Sequence, residues 1–127
     1  MGTAIKKFQA VIDHVAKHDL ELSLSSITVL NWGSPRVNLY IEESETAIRP
    51  MLKWATSLGQ STIKVIAYKG NFHLQVEGPT AGGLVIPVCA ITNEGSAERA
   101  ALTASGLTGD VELADLQKVL NSIGGAV

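Results

Sequence analysis

Residues 63–77 read IKVIAYKGNFHLQVE, and in them two segments of alternating apolar and polar residues flank a Gly-Asn dipeptide. Alternation of this kind over four to eight residues predicts a half-buried strand. Gly-Asn favours a two-residue turn of type II′. The predicted cross-strand pairs are Ala67–Leu74 and Val65–Val76 on one face, and Tyr68–His73, Ile66–Gln75 and Lys64–Glu77 on the other. Because the turn chemistry and the apolar pattern agree, this segment predicts a β-hairpin.

A second hairpin is predicted upstream, around the turn-forming residues 31–35, NWGSP. Residues 37–41 alternate strictly between apolar and polar side chains, and Ile27 and Val29 precede the turn. The register that places the apolar set on one face pairs Val29 with Leu39 and Ile27 with Ile41. A slip of one residue would turn that set to solvent, so the pattern determines which residues share a face.

The rest of the chain alternates between helical and extended patterns. Helices are predicted at about 3–18, 45–58, 96–104 and 113–123, strands at 20–24 and 84–92, and a loop at 106–110. The predicted order is therefore α-β-β-β-α-β-β-β-α-α. We predict an α+β fold in which two β-hairpins and an extra strand form an antiparallel sheet, with the helices packed on one of its faces.

The length of 127 residues fits a single α+β domain spanning 1–127. A faint internal similarity divides it further, since the tetrapeptide that begins at Thr3 resembles the one that begins at Thr46. One interpretation is a helix-plus-hairpin pseudo-repeat, 3–42 and 46–77. The other is that two helix-to-strand units of similar length share their apolar pattern without a common origin.

Composition narrows the classes of function. Charged residues make up 17% of the chain, below the roughly 25% of typical soluble domains, and a weakly charged surface favours association into a homo-oligomer or with a protein partner. A net charge of −2 and a pI near 5.9 argue against a strongly nucleic-acid-binding domain. The start of the chain lacks the apolar segment of a secretory signal, and no apolar stretch approaches the roughly 20 residues of a membrane span. The expectation is a cytoplasmic protein without a membrane partner.

The chain carries no catalytic, metal or nucleotide motif of any specificity, and no motif identifies a family. His14 and His18 have a spacing that suits two metal ligands, but no third ligand is evident and we expect two surface histidines. Cys89 lies in an apolar run and is expected to be a buried, inert thiol. We therefore predict no metal site, no cofactor and no catalytic residue. An enzyme is the less favoured class, through an unrecognised histidine or carboxylate site.

The candidate binding surface is the outer face of the two hairpins together with the first turn. Its residues are Trp32, Arg36, Tyr40, Lys64, Tyr68 and His73. The tyrosines could stack bases while Arg36 and Lys64 lie near phosphates. However, Glu42 and Glu77 on the same face offset the two cations, and an amphipathic face suits a protein interface at least as well. A merely solvated face is the remaining interpretation.

These observations favour a non-catalytic small interaction module that self-associates or joins a larger protein assembly. A role as a phage or virion accessory protein is compatible with this composition, although no residue specifically selects it. The alternative is a weak single-stranded nucleic-acid-binding protein that uses the outer hairpin face. Enzyme activity is the third hypothesis.

Overall fold

The chain forms one six-stranded sheet with four helices, as seen in a computed structural model that describes residues 2–18, 20, 25–29, 35–39, 47–80, 83–92 and 96–124. The helices are α1 (Gly2–His18), α2 (Ile48–Ser57), α3 (Ala97–Ser105) and α4 (Leu113–Gly124). The strands are β1 (Ser25–Val29), β2 (Pro35–Leu39), β3 (Thr62–Tyr68), β4 (Asn71–Pro79), β5 (Val85–Ile91) and β6 (Gly109–Glu112). The predicted α+β class is confirmed.

The strand order in the sheet is β1-β2-β5-β4-β3-β6. Strands β3, β4, β5 and β6 pair antiparallel, as do β1 and β2. Strand β5 lies between the two hairpins and pairs with β4 on one side and with β2 on the other. The β2–β5 pair is parallel, with Val37 opposite Val88. A parallel pair needs a long crossover, which here contains α2 and the β3–β4 hairpin.

The β3–β4 hairpin forms where predicted, but its turn is Lys69-Gly70 rather than Gly70-Asn71. Both turn residues have positive φ, 50° at Lys69 and 83° at Gly70, which is the type I′ geometry that matches the twist of the strands. The register therefore pairs Val65 with Leu74 and Lys64 with Gln75. The predicted partners are wrong by two residues, whereas the predicted faces are right because side chains alternate with period two.

The first hairpin shows the same outcome. Its register pairs Ile27 with Val37 and Ser25 with Leu39, so the predicted pairs Val29–Leu39 and Ile27–Ile41 are wrong. The predicted parity is right, because the register differs from the prediction by an even number of residues and Ile27, Val37 and Leu39 therefore still share one face. The predicted strand 20–24, apart from Leu20, lies outside the described residues, as do Trp32 and Tyr40.

Strand β6 replaces the end of the loop predicted at 106–110. It pairs antiparallel with β3, with Val111 opposite Ile63 and Asp110 opposite Lys64. Only one of its four residues, Val111, is buried. A strand with a single buried residue has no alternation for a sequence pattern to detect, which explains why the prediction is wrong here.

The core lies between the sheet and the helices, on one face of the sheet. Helix α2 contributes Ile48, Met51, Trp54 and Ala55, and the strands contribute Ile63, Val65, Leu74, Val76, Ile86, Val88 and Ala90. Trp54 is only 1% exposed, so it lies in the core rather than at its edge. Pro50 sits in the first turn of α2, where the backbone N–H that it lacks would have no partner within the helix.

Two side chains cap the ends of helices. Ser96 Oγ accepts a hydrogen bond from Arg99 N at 3.1 Å, which confirms the predicted start of α3. Glu98 of α3 accepts hydrogen bonds from Ala47 N at 2.8 Å and from Ile48 N at 2.9 Å. Its carboxylate thus caps the buried N-terminus of α2, a helix 50 residues away in sequence.

Candidate interaction surface

The side of the sheet opposite the core is open along β3, β4, β5 and β6, and we call it the outer face. Its members are the alternate residues of each strand that point away from the helices. They are Thr62, Lys64, Ile66, Tyr68, Asn71, His73, Gln75, Glu77, Pro79, Val85, Pro87, Cys89, Ile91, Asp110 and Glu112. All of them are exposed or half-buried, so no described helix covers this face.

Among the side chains whose exposure the structure describes, which leaves out those of β1, β2 and most of the first half of α1, the large exposed hydrophobic ones all lie on the outer face. These are Ile66 (37% exposed), Tyr68 (54%), Val85 (49%) and Ile91 (48%). Two lie on β3 and two on β5, so they flank β4 on either side. Single exposed apolar residues are ordinary, so the distinguishing feature is that these four side chains share one face.

The register places three of the outer-face residues in a row across the sheet, which we call the apolar row. His73 of β4 stands between Ile66 of β3 and Ile91 of β5. The Tyr68 ring contacts the His73 ring edge-on, with centroids 5.6 Å apart, and Lys69 Nζ lies 5.2 Å from the Tyr68 centroid. The apolar row and Tyr68 thus form one continuous patch beside the β3–β4 turn.

The next row of the outer face is polar and forms the floor of a shallow depression of about 430 Å³. The residues of this row are Cys89, Gln75, Lys64 and Asp110, one from each strand. Cys89 is half-buried here, so the expectation of a thiol buried in the core is wrong. The reason is that β5 has an open side, whereas its continuous apolar sequence predicts burial on both faces.

The charges of the outer face do not form a basic track. Lys64 stands opposite Asp110 across β3 and β6, and Glu77 and Glu112 are exposed in the row beyond. Among the side chains that the structure describes on this face, one cation therefore meets three carboxylates. Nucleic-acid binding depends on neutralising phosphates with Lys and Arg, and the described strand residues of this face offer only Lys64 for that purpose.

The structure brings together three of the six predicted binding residues. Lys64, Tyr68 and His73 share the outer face. For Arg36 only the backbone position is described, opposite Thr28 in the β1–β2 ladder. The prediction missed two members of the surface, Val85 and Ile91, because the apolar run 84–92 predicts a strand buried on both faces. Pro87 in that run suggests an edge or a bulge, but neither reveals which face of a strand is open to solvent.

The two histidines of α1 lie apart from this surface, and one of them differs from the prediction. His14 is only 5% exposed, and its ring stacks on that of Trp54 with centroids 5.8 Å apart. Its Nε2 lies 2.9 Å from Ser57 Oγ, which donates its own proton to Trp54 O at 2.7 Å. These contacts join α1 to the last turn of α2 through His14, Ser57 and Trp54.

Burial lowers the pKa of His14, and the neighbouring His18 and Lys17 lower it further. The His18 ring is 4.5 Å from the His14 ring. Within the described ranges, no three side chains of His, Cys, Asp or Glu come together in a way that could hold a metal ion.

Comparison with known proteins adds no functional assignment, since no family model, curated protein or solved structure matches the chain. None of the described helices combines the length and the apolar character needed to cross a bilayer.

Proposed function

We propose that this protein is a non-catalytic interaction module that self-associates through the outer face of its sheet. The observation that carries the proposal is the confinement of Ile66, Tyr68, Val85 and Ile91 to that one face. Burying such side chains is favourable by roughly 25 cal/mol per Å² of apolar surface removed from water. The proposed occupant is the same face of a second copy.

The size of the outer face allows this occupant. Its four strands, spaced by about 4.8 Å and on average about 22 Å long, give a sheet face of about 430 Å² in projection. Each partner in a standard protein interface buries about 800 Å². Two copies packed face to face about 10 Å apart, as in β-sandwiches, would therefore make a contact smaller than the standard size, which suits a dimer that dissociates on dilution.

The composition of the outer face also suits a second copy. Its apolar side chains flank a polar strand, and Lys64 lies among carboxylates that a second copy would also present. A strongly basic or strongly acidic partner would leave one of these charge types unmatched. The low overall share of charged residues, 17%, is consistent with association.

Sedimentation velocity over a wide concentration range tests the proposal. The wild-type chain is expected to sediment as a dimer at high concentration and to dissociate on dilution, whereas Ile66→Glu and Tyr68→Asp are expected to remain monomeric. Thr103→Glu is the matched control, because Thr103 is exposed on α3, away from the outer face. It should associate like the wild type.

Two results would overturn the proposal. One is a wild-type chain that remains monomeric at the highest concentration reached. The other is an Ile66→Glu variant that associates as strongly as the Thr103→Glu control. Binding of a fluorescent single-stranded oligonucleotide, measured in parallel, addresses the alternative. Affinity that falls steeply with salt and is lost in Lys64→Ala would favour nucleic acid over a second copy.

A further inference from the structure

We infer that the two copies pack with a two-fold axis along β4, so that Ile66 of each copy lies against Ile91 of the other. This inference rests on the proposed self-association and specifies how the partner face is engaged. It starts from the arrangement of the apolar row, in which Ile66 and Ile91 are the direct cross-strand partners of His73 on its two sides.

A two-fold axis between two sheets packed face to face must lie in the plane of the contact. If it runs along β4, each row of one sheet covers the same row of the other, and β3 covers β5. The apolar row then covers the apolar row. Ile66 meets Ile91, and Ile91 meets Ile66, so both contacts are apolar.

The proposed axis brings one pair of like charges together, whereas Lys64 avoids its own equivalent. Lys64 of β3 covers the neutral Cys89 position of β5 and lies diagonal to Glu77 of the other copy. The two Glu77 side chains meet at the axis, and a lysine of the opposite copy lies diagonal to each of them. Asp110 on β6 lies far from its own equivalent, because β6 is displaced from the axis by two strands.

A two-fold axis that runs across the strands through the polar row is an alternative. It would place Lys64 on Lys64 and Asp110 on Asp110, since each strand would then cover itself. It would also reverse the rows, so that Ile66 would meet Thr62 and His73 would meet Glu77. Like charges would be desolvated against each other and the apolar row would lose its apolar partner, which disfavours this orientation.

A charge-pair complementation experiment tests the contact. In separate samples, Ile66→Glu and Ile91→Lys are each expected to weaken self-association by about 1,000-fold, because each homodimer contains the altered contact twice at about 2 kcal/mol per contact. When the two variants are mixed at low ionic strength, the introduced carboxylate and the introduced ammonium group meet in one contact, and the other contact keeps its two isoleucines. A heterodimer should then appear by native mass spectrometry. Both positions are partly exposed, so circular dichroism and thermal unfolding should show that the variants fold.

The matched control is a mixture of Ile66→Glu with Ile91→Glu, which should remain monomeric. One result would show that the axis along β4 is wrong. In it, the wild type dimerises and each single variant does not, but the mixture of Ile66→Glu and Ile91→Lys forms no heterodimer. Self-association through the outer face would still stand. If the wild type does not dimerise, the proposed function fails and this inference fails with it.

Discussion

Removal of the Glu98 carboxylate is the most informative perturbation of the fold. Glu98 is 3% exposed and accepts hydrogen bonds from Ala47 N and Ile48 N. Both donor residues are themselves fully buried, so in Glu98→Ala water could not replace the lost acceptor. Helix α2 lies at the centre of the core, and the damage should therefore appear in the global stability.

The expected loss follows from the two orphaned donors. A buried N–H without a partner costs about 1–3 kcal/mol, so two cost about 4 kcal/mol. The variant no longer desolvates a carboxylate, and this offsets part of that cost. The net loss is therefore at most about 4 kcal/mol, which shifts a urea midpoint by up to about 2 M for a slope of about 2 kcal/mol per molar.

Urea unfolding followed by circular dichroism measures this shift. Glu98→Gln, which keeps one acceptor oxygen, should lose about half as much stability as Glu98→Ala. Glu112→Ala is the control, since Glu112 is exposed on β6 and its removal should change stability by less than about 0.5 kcal/mol. If Glu98→Ala unfolds at the same urea concentration as Glu112→Ala, the capping role of Glu98 is refuted.

The pH dependence of the same variants has a defined sign. Burial raises the pKa of Glu98, and the hydrogen bonds from Ile48 N and Ala47 N offset this only in part. The fold therefore favours the protonated carboxyl relative to the unfolded chain. The stabilisation linked to this proton is complete below the unfolded pKa of about 4.3 and is lost as pH rises through the folded pKa. The stability difference between wild type and Glu98→Ala, which has no titrating group at this position, should widen as pH falls from neutrality to about 4.

Two further predictions concern close contacts elsewhere in the core. Gly78→Ala should lose about 2 kcal/mol of stability by overpacking, because a Cβ at this position would lie 2.8 Å from Leu58 O. Gly83→Ala, where φ is +86° and the space is open, should lose only about 1 kcal/mol, from backbone strain alone. Equal thermal unfolding midpoints for the two variants would contradict this difference. Since the pKa of His14 is lowered, its neutral form is favoured by folding, and the associated stability is present above about pH 6.5 and lost as pH falls through the folded pKa. The wild type should thus lose more stability than His14→Phe between about pH 7.5 and 5.5. Parallel plots of unfolding free energy against pH for the two proteins would show that the titration of His14 does not contribute to this loss.

The amino-acid sequence by itself determined which residues of the main hairpin face the core. Alternation with period two is a local property, so it assigns Val65 and Leu74 to the buried side and Lys64 and Tyr68 to the outer face without reference to any other segment. The fold keeps those faces although the turn moves by one residue. That shift arises because Lys69 adopts a left-handed conformation, which its residue type does not favour.

Only the tertiary structure decided the features that depend on distant segments. Glu98 caps a helix 50 residues away, and His14 packs on Ser57 across a separation of 43 residues. Strand β6 exists because β3 offers it an edge. The outer face itself is of the same kind, since Ile91 reaches Ile66 through β4 and remains exposed only because the described helices pack on the other side. A local sequence pattern shows the spacing of apolar residues within one element. Contacts between remote segments depend instead on how the elements pack together.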